Sequence, residues 1–153
     1  VTLGDLLVSL QVPHGWDAVP GQYAVTLHGP ADADYTPTVV LQEGEAERAG
    51  RDWWLDFTEQ IVGRLIDSSP QFEFRAQREF RLSSMAAEVY AVTARWESLD
   101  PSIPDTAQLQ AWIWAGSTRM YQFSGSTAMA HEQRDLPVFE HMLDSIRLLP
   151  PRI

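Results

Sequence analysis

The stretch Leu10-Gln-Val-Pro-His-Gly-Trp16 decides how this chain is read. Leu6, Val8, Leu10 and Val12 alternate with other residues, run into Pro13, and the chain then turns through Gly15 onto an aromatic. A period of two marks a half-buried strand, and a proline ends it. The other informative end is Pro137-Val-Phe-Glu140 followed by Asp144-Ser-Ile-Arg-Leu148. Phe139, Leu143 and Ile146 fall on one stripe of a helix over about Leu136 to Ile146, with Pro137 suited to its first turn. Pro150-Pro151 forbids continuation.

Between these ends the hydrophobic period changes twice. Tyr23, Val25 and Leu27 alternate as a strand, and Thr38 to Gln42 forms another after Pro37. From Gly50 to Ser68 the period becomes helical, with Trp54, Phe57, Ile61 and Leu65 on one face. At about 100° per residue the apolar positions of that helix sweep roughly 220°, wider than a surface helix needs, so cover on more than one side is expected. Trp53 sits at the polar border beside Gln60 and Arg64, as an edge cap of the core or a contact residue. Phe72 and Phe74 then open a strand that Phe80 and Leu82 either continue or begin to return, and Glu88–Trp96 is a long strand. Beyond the loop Leu99-Asp-Pro-Ser-Ile-Pro104, Thr106–Ala115 and Thr118–Ser126 read as a hairpin around Gly116-Ser117. Strands, a helix, an antiparallel meander and a last helix make an α+β chain: an antiparallel sheet of about five to seven strands flanked by helices. At 153 residues a single domain over 1–153 is expected.

The Leu-x-Val-Pro-x-Gly-Trp16 opening, the Tyr35-Thr-Pro-Thr-Val-Val-Leu41 strand and the Phe139 … Ser145-Ile-Arg-Leu148 ending resemble the PsbP-like superfamily, with its DcrB-like and LpqN-like groups. The resemblance spans nearly the whole chain. It implies an α/β/α sandwich and a non-enzymatic, chaperone-like binding role. The LpqN-type proteins carry a lipidated cysteine, and this sequence has no cysteine at all.

Composition narrows the partners. Eleven basic residues against twenty-one acids leave a net charge of −10, which repels a nucleic-acid backbone. All the basic residues are arginine, and neither lysine nor asparagine occurs, the codon bias of a GC-rich genome, here read as a high-GC bacterium. No run is apolar enough to insert in a membrane. The chain carries no charged segment leading into an apolar one, so a cytoplasmic location is expected. It begins with Val1, which leaves room for a trimmed export leader.

No catalytic, cofactor or metal signature emerges. His14, His28, His131 and His141 lack the spacing of a zinc site. Asp32-Ala-Asp34 starts like a calcium loop without its glycine or closing glutamate. Glu43-Gly-Glu-Ala-Glu47 reads as surface charge, and neither Gly116-Ser117 nor Gly125-Ser126 lies in a nucleophile elbow.

One constellation rises above this background. Gln108, Gln110, Trp112 and Trp114 share one strand face, and Tyr90, Val92, Ala94 and Trp96 share the face of the strand before. With Tyr121 and Phe123 on the next strand, both faces of the sheet are expected to be largely apolar, under helices on both sides or with one face partly open. The open alternative places a partner surface at Tyr90, Trp96, Gln110, Trp112, Trp114 and, on the helix, Trp53. It would grip a protein partner or apolar peptide segment, and at least two of its aromatics should then be accessible. The competing reading is a carrier of a small hydrophobic ligand in a closed pocket between sheet and helix.

Overall fold

The computed structural model describes residues 2–3, 8–21, 23–31, 35–45, 50–82, 87–115 and 119–148. Leu6, the Asp32-Ala-Asp34 loop, residues 46–47 of the acidic run, the Gly116-Ser117 turn and Pro150-Pro151 lie outside them. The elements run β1 (Thr2–Leu3), β2 (Val8–Ser9), β3 (Asp17–Pro20), β4 (Ala24–His28), β5 (Thr38–Glu45), α1 (Arg51–Ser68), β6 (Phe72–Leu82), β7 (Ala87–Trp96), β8 (Thr106–Trp114), β9 (Arg119–Ala128), α2 (Glu132–Asp144) and β10 (Arg147–Leu148). Seven strands form an antiparallel sheet in the order β3-β4-β5-β9-β8-β7-β6, and β1, β2 and β10 form a small second sheet. This is the expected α+β sandwich, with α2 on one face and α1 on the other.

The α2 face is the drier one. Val25, Leu27, Val39, Leu41, Leu109, Ile113 and Phe123 alternate inward along their strands and meet Phe139, Met142, Leu143 and Ile146 of α2. Gly125 makes the approach possible, since a Cβ there would lie 2.7 Å from the Phe139 ring. The opening motif closes the same core: Gly15 turns at φ 87°, a left-handed value that favours glycine, and brings Trp16 edge-on to Phe139.

Four expectations are corrected. The alternation ending at Pro13 forms a described strand only over Val8–Ser9, because it pairs with the short β1 and β10 rather than with the large sheet. Asp17–Pro20 is an edge strand that hydrophobic period could not reveal, all four residues being exposed. α2 begins at Glu132, so Pro137 lies inside the helix, beyond its first turn. Pro137 and Gln133, whose carbonyl loses its helical donor, are both on the exposed side, where water can replace the bond. Finally, α1 is covered on one side only: Trp54 is buried, whereas Leu55 and Ile66 are 49% and 46% exposed.

Candidate functional site

Antiparallel register fixes which side chains share the α1 face. One cross-strand row holds Glu79, Tyr90, Trp112, Gln122, Gln42 and Ala24. The next holds Gln77, Val92, Gln110, Ser124, Val40, Thr26 and Val19, and the one beyond it Phe74, Ala94, Gln108, Ser126, Thr38, His28 and Asp17. On the other side of the first row lie Arg81, Glu88, Trp114, Met120 and Gly44. The face therefore divides lengthwise. Its β7–β8 half is aromatic; its β9–β5–β4 half, with Gln108 and Gln110 at the border, is amide and hydroxyl. The expectation that both faces are largely apolar fails on this second half.

α1 covers the aromatic half. Trp54 stacks on Trp114 with ring centroids 6.1 Å apart, and Phe57 meets Trp112 edge-on at 6.0 Å. Tyr90 lies beside Trp112, at 6.3 Å, and its hydroxyl donates to Gln77 Oε1 at 2.8 Å. Burial, reinforced by the negative charge of Glu79, raises the Tyr90 hydroxyl above the usual tyrosine range, so it is a neutral donor there. Arg51 and Arg81 both donate to Glu88 Oε1, tying the start of α1 to β6 and β7. Glu88 Oε2 and the neighbouring Trp114 Nε1 are buried without hydrogen-bond partners. Two clefts of about 230 and 360 Å³ run between α1 and β6, sharing Thr58, Glu79 and Tyr90, and both open to solvent.

The six candidate residues are thus placed unequally. Tyr90 and Trp112 are each 4% exposed beneath α1, and Tyr90 lines the two clefts beside β6. Trp114 and Trp96 remain half-buried, Trp96 edge-on to Phe72 at the far end of β7. Trp53 is also half-buried and stacks on Phe57 at 5.3 Å. Gln110 lies on the open half, where its Nε2 donates to Gln108 Oε1 at 2.8 Å. Tyr90 and Trp112 belong to one buried cluster with Trp54 and Phe72, and Trp53, Trp96 and Trp114 pack against its border; Gln110 lies beside it.

The open half was not legible as a surface. Gln42 Nε2 donates to Gln122 Oε1 at 3.1 Å, and the Tyr35 hydroxyl lies 3.2 Å from Ser126 Oγ. The alternation Gln122, Ser124, Ser126 against Tyr121 and Phe123 was the available signal, since it puts the polar set on one face. Among the described residues no group of three or more histidine, aspartate or glutamate side chains could hold a metal ion, and no helix is long and apolar enough to cross a membrane.

This α1–sheet–α2 sandwich, with its antiparallel seven-stranded sheet, is similar in fold to cyanobacterial PsbP. Solved structures of that fold superpose over almost the entire chain. The cyanobacterial PsbP of Synechocystis sp. PCC 6803 matches at a TM-score of 0.65 and 14% identity, covering 97% of this chain and 90% of that one. LpqN of Mycobacterium tuberculosis, which is involved in cell envelope biogenesis, matches at 0.66 and 15%, covering 94% and 83%. PA94 of Pseudomonas aeruginosa, a protein of unknown function, matches at 0.65 and 14%, covering 95% and 98%. No protein-family model and no curated protein sequence matches the chain.

Proposed function

We propose that this chain is a non-catalytic, chaperone-like protein-binding module that holds an uncharged, extended polypeptide segment on the open half of its α1-side sheet face. One observation carries the reading. On a chain of net charge −10, the adjoining positions Gln108, Gln110, Gln122, Gln42, Ser124 and Ser126 present no charge, and none of them is buried. Glutamine amides donate and accept, as a peptide backbone requires, and the half-buried Trp96 and Trp114 offer apolar borders. Tyr90 and Trp112 act from below, as the floor that seats α1. A cytoplasmic location belongs to the same proposal. The carrier reading is less favoured: the rings of Trp54, Phe57, Trp112 and Trp114 pack together between α1 and β8, and the two clefts beside β6 open to solvent instead of closing around a ligand.

The test is affinity capture from the native host with the wild-type chain and with Gln110→Glu/Gln122→Glu, followed by titration of the captured protein's segment. The double substitution keeps side-chain shape and adds charge at two partly buried surface positions, and an unchanged melting temperature is the control that the fold holds. Binding should fall tenfold or more, about 1.4 kcal/mol. Unchanged affinity for every captured protein would exclude this surface.

A further inference from the structure

We propose that β6 is a self-association edge, and that two copies of this chain join through it into one continuous sheet. β6 is the outer strand on the α1-covered side, and its residues 73–79 are all exposed. It carries a β-bulge between Phe74 and Ala76, with Arg75 as the extra residue against β7. Bulges and charges ordinarily protect an edge from pairing. Here both features have a form that a second copy satisfies.

The bulge shifts the alternation of faces. Before it, Phe72 and Phe74 lie on the α1 face; after it, Gln77 and Glu79 do. A straight strand laid along β6 would put its side chains on the wrong face beyond Arg75. A second copy running antiparallel brings the same shift. When Arg75 of each copy faces Ala76 of the other, Phe72 falls opposite Glu79, Glu73 opposite Arg78, and Phe74 opposite Gln77, each pair on one face. The bulge thus selects a copy of itself over other strands.

The charges agree with that register. A strand protected by charge repels a copy when it carries one sign, but β6 carries Glu73, Arg75, Arg78 and Glu79. The two-fold pairing sets Glu73 against Arg78 twice and places no like charges directly opposite. Glu73 now meets Arg75 at 3.0 Å and Arg78 meets Asp144 at 2.9 Å, all with side chains 45% exposed or more, so these contacts cost little to share. A two-fold axis beside β6 also brings the outer flank of α1, with the exposed Leu55 and Ile66, toward its counterpart. This interface is independent of the proposed peptide surface, which lies on the opposite half of the sheet.

The experiment is sedimentation equilibrium of the full chain, from micromolar to several hundred micromolar. The wild type should reach twice the 17.3 kDa chain mass. Glu73→Arg alone sets arginine against Arg78, and Arg78→Glu alone sets glutamate against Glu73; each should weaken the dimer at least tenfold. Mixing the two variants restores an arginine opposite a glutamate at both symmetry-related contacts, so the mixture should dimerise again. A monomeric wild type, single variants as dimeric as wild type, or a mixture that stays monomeric would each overturn the proposal. Unchanged near-ultraviolet dichroism of the variants confirms that these exposed changes leave the fold intact.

Discussion

Trp16 and Phe139 meet edge to face, ring centroids 6.2 Å apart and planes at 85°. This contact physically joins the two ends of the chain on which the fold reading rests. The Gln11 N–H donates to Ser145 Oγ at 2.9 Å beside it, and β2 pairs with β10 a few residues away. Gly29 lies under the other side of the indole, where a Cβ would come within 2.9 Å of Trp16. Proline, glycine and tryptophan in the opening motif therefore act together. They reverse the chain beyond β2 and seat an aromatic on the last helix.

Phe139 is fully buried, and its ring occupies the space a side chain at Gly125 would take. Phe139→Ala should destabilise the fold by about 3–5 kcal/mol through lost burial and the cavity left behind. Gly125→Ala should cost about 1–3 kcal/mol by pushing the ring out of its seat. Urea unfolding followed by tryptophan fluorescence measures both. A neutral Gly125→Ala would mean that α2 shifts freely away from β9.

Trp112 and Trp114 are two residues apart on one strand face, yet they should respond differently. Trp112 is 4% exposed and touches Phe57 and Tyr90. Its replacement by alanine should cost about 3–5 kcal/mol, as for a core aromatic. Trp114→Phe keeps a ring for Trp54 to stack on and removes an indole N–H that has no partner, so the loss should stay below about 1 kcal/mol. Denaturant midpoints of the two variants decide it. Equal losses would show that Trp114 is held as tightly as Trp112.

The strands that alternate strongly, β4, β5, β7 and β8, were legible because one or both faces are buried and the period survives. β3 was not, since Asp17-Ala-Val-Pro20 is exposed on both faces and only its pairing with β4 makes it a strand. The start of α2 was misplaced because Pro137 looks like a first-turn residue, whereas the helix tolerates it on its wet side. The candidate surface was half legible. Spacing alone put Tyr90, Trp112 and Gln110 on one face, but how far α1 reaches across that face is a tertiary fact. Trp54 and Phe57 decide it by stacking on Trp114 and Trp112, and no local pattern encodes that distance.

Asp135 gives the fold a dependence on pH. It is 5% exposed in the first turn of α2, where Thr127 Oγ1 of β9 donates to Oδ2 at 2.5 Å and Arg134 Nε donates to Oδ1 at 2.9 Å. Burial works against its ionisation. The bonds from Arg134 and Thr127, with the charges of Arg134 and His131, outweigh that and hold the carboxyl below the usual carboxylate range. Above that range both folded and unfolded chains are ionised, and the bonded carboxylate contributes in full. As pH falls the unfolded chain takes up its proton first, so stability declines; the contribution is gone once the folded carboxyl is protonated too. Asp135→Asn should therefore cost about 1.5–3 kcal/mol at neutral pH, the range for a hydrogen bond to a charged group. The gap between wild type and variant should narrow from about pH 5 downward. Urea midpoints at a series of pH values test this directly. A gap that stays constant into the acid range would assign the Asp135 contribution to shape rather than to charge.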